Sequence, residues 1–207
     1  MKSLRSLLIG TRNIEKLKEL RELLRDLPLD LYGLDSFRSV AEVQETGETF
    51  IENASLKAVA YATQARLLTL ADDSGLAVEA LGGAPGVWSA RYAGEGASDV
   101  ERTNKLLLEL SNSKEPQRSA RFVSAVAIAS SEGKILNVSV GSCDGHLAFA
   151  PRGSRGFGYD PIFIPVGYEQ TFAELKPAIK NRISHRARAL QGAREFLRTL
   201  TTASSAR

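Results

Sequence analysis

The stretch Leu67-Leu68-Thr69-Leu70-Ala71-Asp72-Asp73-Ser74-Gly75 decides how the rest of the chain reads. Residues 67–71 form an apolar run of strand length, too short for a helix. They predict a strand buried on both faces, as in a sheet with helices on either side. Two carboxylates follow at once. That reading places Asp72 and Asp73 at the carboxyl end of a strand, where open α/β sheets bind ligands. Neighbouring side chains leave the backbone in different directions. One acid can therefore hold a hard cation such as magnesium while the other positions or deprotonates water. An ordinary Asp-Ser-Gly turn would be written the same way.

Toward the N-terminus, residues 4–9 predict a first strand that runs through Gly10 into Thr11-Arg12-Asn13. A helix follows, with Leu17, Leu20, Leu24 and Leu27 on one stripe and Pro28 closing it. A helix start presents unpaired backbone donors and the positive end of the dipole, so this junction has the parts of an anion site. Thr11 and Asn13 offer short polar side chains, Lys16 adds a full charge, and Arg12 either joins them or faces solvent. The alternative is that Asn13 caps the helix and Lys16 lies on its wet face. Residues 29–34 form a short apolar segment. Next come the polar loop Gln44-Glu45-Thr46-Gly47 and a second helix, whose entry carries capping-box spacing at Thr49 and Glu52. Phe50, Ala54, Ala58 and Tyr61 predict its buried face, and Glu45 would complete a carboxylate site for the metal.

Toward the C-terminus, residues 81–96 are glycine-rich and carry Trp88, Arg91 and Tyr92, the mark of an ordered surface loop. Those three would cover a ligand or pack in a subunit interface. Ser98 and Glu101 form a second capping box before a helix with Leu106, Leu107 and Leu110. The polar stretch 111–117 reads as a boundary between lobes. Residues 121–129 and 135–142 predict a long antiparallel hairpin joined by Ser130-Ser131-Glu132-Gly133-Lys134. In Gly156-Phe157-Gly158-Tyr159-Asp160-Pro161 the aromatics stand between glycines. That pattern suits a backbone that approaches a planar ligand while Phe157 or Tyr159 stacks on it, although a plain turn before a strand at 162–164 is written similarly. Lys180, Ser184, His185, Arg186 and Arg188 cluster near the start of a last helix that uses Ile183, Ala187, Leu190, Ala193, Leu197 and Leu200. They offer donors to a base edge or to phosphates, or else form a solvated basic face. Residues 201–207 are expected to fray.

The chain has 207 residues, 43% apolar and 25% charged, which suits one globular domain or two lobes and excludes disordered and fibrous classes. A net charge of +3 does not by itself argue for nucleic acid. One cysteine, Cys143, cannot make an internal disulfide, and with two histidines it cannot build a closed zinc site of the common types. The apolar run at the N-terminus is shorter than a signal peptide requires, and no stretch approaches a bilayer span, so a cytoplasmic protein without membrane contact is expected. The Gly-x-x-x-x-Gly-Lys-[Ser/Thr] phosphate loop is missing from the sequence.

Together these segments resemble the inosine/xanthosine triphosphate pyrophosphatase family over nearly the whole chain. The resemblance rests on Thr-x-Asn-x-x-Lys at Thr11 to Lys16, Glu-Thr-Gly-x-Thr-Phe at Glu45 to Phe50 and Asp-Asp-Ser-Gly-Leu at Asp72 to Leu76. It continues through Gly-Gly-Ala-Pro-Gly at Gly82 to Gly86, Ser-Ala-Arg-Tyr at Ser89 to Tyr92, Gly-Phe-Gly-Tyr-Asp-Pro at Gly156 to Pro161 and Ser-His-Arg at Ser184 to Arg186. It implies an α/β fold: a central elongated mixed sheet with flanking helices, two lobes around a substrate cleft within one domain spanning 1–207, and a homodimer. It further implies hydrolysis of inosine, deoxyinosine or xanthosine triphosphate between the α- and β-phosphates, to a nucleoside monophosphate and pyrophosphate.

By position, Thr11, Asn13 and Lys16 would hold phosphates, with Arg12 beside them. Glu45, Asp72 and Asp73 would serve magnesium and water, with Asp73 as the base, and Ser74 would contact substrate. Phe157 would stack on the purine, Gly158, Tyr159 and Asp160 would shape its pocket, and Lys180, His185 and Arg186 would read its polar edge. Three positions depart from the commonest family pattern. Arg12 and Arg155 stand where glycine is frequent. Gln44 stands where a second acid often precedes Glu45, so Glu45 carries the loop's share of the metal site, with Glu48 a weaker substitute. Two other classes fit parts of the sequence: a pyrophosphatase of different base specificity, and a nucleotide- or nucleic-acid-binding module without turnover. The second would show strongly salt-dependent binding and no pyrophosphate release.

Overall fold

The computed structural model describes residues 5–37, 39–112 and 118–203. Six strands form one sheet in the order β2-β1-β3-β4-β5-β6, comprising Leu29–Gly33, Arg5–Ile9, Thr69–Val78, Ser119–Ala129, Ile135–Leu147 and Phe163–Pro165. β1 runs parallel to β2 and to β3, while β5 and β6 are antiparallel, so the sheet is mixed. Bonds from Ser130 to Lys134 and from Leu147 to Arg118 tie the two ends of β4 and β5 in opposite directions, as the expected hairpin requires. The helices are α1 (Ile14–Leu24), α2 (Phe50–Ala65), α3 (Asp99–Asn112), α4 (Pro177–Ile183) and α5 (His185–Ala203).

The chain divides into two compact units. The first gathers residues up to Asp73, Ser124–Gly141 and the chain from Arg186 onward; the second gathers Ser74–Val123 and Ser142–His185. Each has its own core. In the first, Leu7 and Ile9 of β1 and Val126 and Ile128 of β4 pack with Leu20 and Leu24 of α1 and with Leu190, Ala193 and Leu197 of α5. In the second, Phe122, Phe163 and Phe172 meet Leu76, Leu106, Leu110 and Leu147.

A separate layer of the first unit is made almost wholly of alanine. Ala54, Ala58 and Ala62 of α2 lie on Ala71, Ala125, Ala127 and Ala129 of the sheet. Methyl-sized side chains let helix and sheet approach closely, so polar residues on the flank of α2 come within reach of the strand. The capping box at the entry to α2 forms as expected: Thr49 Oγ1 accepts the amide of Glu52, whose carboxylate accepts the amide of Thr49. Ser98 and Glu101 make the equivalent exchange at α3.

Several boundaries differ from the sequence reading. β3 does not stop at Ala71 but runs on to Val78, ten residues from Thr69, so Asp72 and Asp73 lie inside the strand. Carboxylates break a buried strand only when their charge is unmatched, and here cations match it. The last helical region is two helices, α4 and α5, separated by Ser184 in an extended conformation. Ile183 therefore ends α4 instead of joining the stripe of α5. Residues 201–203, expected to fray, continue α5. The remainder of that tail, Leu4 of the first strand and residues 113–117 of the presumed boundary lie outside the described residues.

Candidate active site

In the first unit the carboxylates of β3 stand among cations delivered by three helices. Asn13 caps α1, its side chain accepting the amides of Glu15 and Lys16 at 2.9 and 3.0 Å, and Thr11 Oγ1 accepts the amide of Asn13 at 3.2 Å. These bonds fix the first turn of α1. Lys16 then reaches Asp72, with Nζ 3.3 Å from Oδ2. Arg186, the second residue of α5, places Nε 3.2 Å from the same oxygen and Nη1 2.5 Å from Glu19 of α1. From α2, Lys57 Nζ lies 2.5 Å from Glu45 Oε1 and 3.1 Å from Asp73 Oδ1. The structure thus brings together Lys16, Glu45, Asp72, Asp73 and Arg186. Arg12 instead donates to the Val40 carbonyl at 2.7 Å.

Burial and charge oppose each other at every member of this group. Desolvation works against the Asp72 carboxylate, but Lys16, Arg186 and Lys57 outweigh it and hold the acid well below the usual range. Asp73 goes the other way: burial raises its pKa, and Lys57 and Lys16 do not fully offset it. Two adjacent acids in one strand are therefore pushed apart in acidity, the condition under which one stays a permanent anion and the other can exchange a proton. Burial lowers the pKa of Lys16 despite Asp72 beside it. At Lys57 the acids prevail, and its pKa rises despite burial.

Asp72 Oδ1 and Asp73 Oδ2 are buried, and neither makes a hydrogen bond. An unmatched buried carboxylate oxygen is costly, and a hard divalent cation or a water is the partner whose chemistry fits it. Among the described residues no three of His, Cys, Asp and Glu come together as a metal cluster. The unsatisfied oxygens of Asp72 and Asp73 suit an ion held by one or two carboxylates and completed by water and phosphate, the coordination habit of magnesium.

The second unit holds the predicted base-recognition residues. Asp160, 2% exposed, accepts from Lys180 Nζ at 2.5 Å and from the Phe157 amide at 2.9 Å. Lys180 Nζ also lies 4.9 Å from the centre of the Phe157 ring. Gly156 has φ +72°, and a Cβ there would fall 2.0 Å from Asp160 Oδ2, so only glycine lets the loop close on this carboxylate. The Gly158 amide donates to Asp99 at 2.6 Å, and the buried Tyr159 hydroxyl donates to the Ser89 carbonyl at 3.0 Å. Tyr159 therefore ties the loop to the Gly86–Arg91 turn. His185, 4% exposed, stacks on Phe122 with centroids 4.6 Å apart and planes at 10°. Ser74 follows Asp73 on β3 and is half-buried.

The expected cluster at the start of the last helix is split. Lys180 belongs with Asp160, Arg186 belongs with Asp72 and Glu19, and Arg188 is exposed. Burial of Ser184, His185 and Arg186 also overturns the reading of a solvated basic face. In the surface loop, the Arg91 guanidinium lies 4.9 Å above the ring of the exposed Trp88, while Tyr92 bonds to Glu109.

Sequence reasoning missed Lys57, Glu19 and Asp99. Lys57 carried a signal, since it stands one turn before Tyr61, which the sequence places on the buried face of α2. Glu19 and Asp99 sit on helix surfaces with nothing local to distinguish them.

The fold and this site together describe an α/β protein in which a strand-borne carboxylate pair is set among cations beside a capped helix start. The chain belongs to the Ham1 family, whose profile it matches over residues 7–196. It is 42% identical over 198 residues to the dITP/XTP pyrophosphatase of Oceanobacillus iheyensis, covering 95% of this chain and 100% of that protein. To the dITP/XTP pyrophosphatase of Desulforamulus reducens it is 46% identical over 194 residues, covering 94% and 96%. A HAM1 protein from Coxiella burnetii superposes with a TM-score of 0.85 at 43% identity, covering 96% of this chain and 100% of that one.

Proposed function

We propose that this chain hydrolyses the non-standard purine nucleoside triphosphates dITP, ITP and XTP to a nucleoside monophosphate and pyrophosphate, removing them from the nucleotide pool. The observation that carries the chemistry is the pair Asp72 and Asp73, two adjacent buried acids of opposite pKa displacement with Lys16, Lys57 and Arg186 around them.

Magnesium, when bound through Asp72 and Asp73 with Glu45 close by, supplies charge that polarises the phosphate oxygens. The N-terminal turn of α1, with Thr11, Asn13 and Lys16, binds the phosphate tail through backbone amides and one ammonium. Arg186 holds Asp72 ionised and in place. Asp73 orients water for in-line attack at a phosphorus of the α–β bridge and takes its proton as the new P–O bond forms. The bridging P–O bond breaks, and Lys16 offsets the charge that collects on the pyrophosphate. Lys57 holds Asp73 and Glu45 in register.

For selectivity, Phe157 stacks on the purine while Lys180, kept in place by Asp160, offers a donor to the 6-oxo group. Adenine carries an amino group at that position. A donor left unmatched when buried costs about 1–3 kcal/mol, so two or three such mismatches suffice for strong discrimination. A homodimer and a cytoplasmic location are part of this proposal. The single cysteine is consistent with a reducing compartment. No described helix is long and apolar enough to cross a membrane.

The test is pyrophosphate release from dITP, ITP, XTP, ATP and GTP, with magnesium and with it chelated. Magnesium-dependent turnover of the first three and little of ATP is expected. Asp73→Asn should lower turnover by about 10²- to 10⁴-fold without unfolding the protein. Equal rates on ATP would remove the base-recognition role, and no pyrophosphate from any substrate would remove the function.

A further inference from the structure

Asn53 is completely buried on α2, one turn before Lys57 and next to Ala54. Asparagine is a weak helix former and its amide is costly to bury, so a buried contact must offset both. That contact is with the loop carrying Glu45. Asn53 Oδ1 accepts the Gly47 amide at 2.8 Å. The fit is close enough that a Cβ at Gly47 would lie 2.6 Å from Glu52 Cβ and 2.8 Å from Asn53 Oδ1. The next two amides, of Glu48 and Thr49, both donate to Glu52 Oε2, at 2.7 and 3.1 Å. Three consecutive loop amides are thus held by two successive residues of α2. On the other side of Thr46, the Glu45 carboxylate meets Lys57. Asn53 Nδ2 has no hydrogen-bond acceptor, so the hold of this side chain on the loop is through its oxygen.

We propose that Asn53 is a positioning residue for Glu45: by fixing the Gly47 amide it sets where the Glu45 carboxylate stands beside Lys57 and Asp73, and so how tightly the site takes up a divalent cation. The inference rests on the proposed function, since it assigns Glu45 to the metal end of that same site. The two bonds of Glu52 end at Glu48 and Thr49. Asn53 reaches one residue further, to the amide two positions from Glu45.

The experiment is a double-mutant cycle between Asn53→Ala and Glu45→Gln in the full chain. It is read by calorimetric titration with magnesium chloride, by the magnesium concentration giving half-maximal pyrophosphate release, and by thermal melting. Asn53→Ala is expected to weaken magnesium uptake about tenfold or more, the usual size of such outer contacts. It should do almost nothing further once Glu45→Gln is present, because both changes act through one carboxylate. Gly47→Ala disturbs the same contact from the loop side and should reproduce the shift, which keeps the test open if Asn53→Ala fails to fold. Unchanged magnesium binding in folded Asn53→Ala or Gly47→Ala overturns the proposal. So do effects of Asn53→Ala and Glu45→Gln that multiply independently. Failure of the functional reading would appear separately, as wild-type protein that releases no pyrophosphate, while calorimetry would still judge Asn53.

Discussion

Asp72 shows how a single side chain can link stability to acidity. Burial alone would favour its neutral form, but Lys16, Arg186 and Lys57 hold it ionised far into acid. A folded-state pKa below the unfolded value means the contribution is fully present above the unfolded pKa of about 3.9. It drains away as pH falls below that value toward the folded one. Asp72→Asn is therefore predicted to melt lower at pH 7, where it takes an anion away from Lys16 and from the buried Arg186. It should also show a shallower loss of stability between about pH 4 and pH 2 than the wild type. Melting curves across that range check both statements, and parallel acid limbs would contradict the second. The proton that Asp72 takes up in acid is distinct from the one that the proposed mechanism assigns to Asp73.

For the elements, the closeness of α2 to the sheet matters more than its helical propensity. The alanines of α2 and of β3 and β4 allow the approach that puts Lys57 3.1 Å from Asp73. Ala58→Leu adds three carbons where there is no space and is predicted to cost about 1–3 kcal/mol. By shifting α2 outward, it should reduce turnover more than the stability loss alone explains. Comparing kcat well below the melting temperature with the measured stability separates the two effects. Thr49→Ala, at the capping box, serves as a contrast: it should cost about 1 kcal/mol of stability and leave kcat nearly unchanged at low temperature. Similar kcat values in the two variants would show that helix spacing does not govern the site.

For the whole molecule, the proposed function assigns phosphate-directed groups to residues of the first unit and base-directed groups to residues of the second. Lys16→Met is predicted to weaken all triphosphates by a similar factor, since every substrate carries the same tail. Asp160→Asn releases Lys180 and should change the ratio of kcat/KM for dITP over dATP while changing the phosphate-dependent part little. A panel of four triphosphates on each variant distinguishes uniform from selective loss, and a base-selective effect of Lys16→Met would contradict the division.

The local signals in the sequence were those whose physics is local. Both capping boxes, the Asn13 cap, the hairpin turn at Ser130 to Lys134 and the apolar stripe of α5 involve partners within a few residues, so spacing alone specified them. The adjacent acids, the Thr-x-Asn-x-x-Lys junction and the aromatic-glycine loop stood out as candidates for the same reason. What the tertiary structure decided was partnership over long separations. Arg186 joins Asp72 across 114 residues of chain, and Lys57 joins Asp73 across 16, each a pairing for which no local spacing rule exists. The same cause moved the end of β3. A strand can run on through two acids only where distant cations neutralise them, and charge compensation of that kind is a property of the folded molecule.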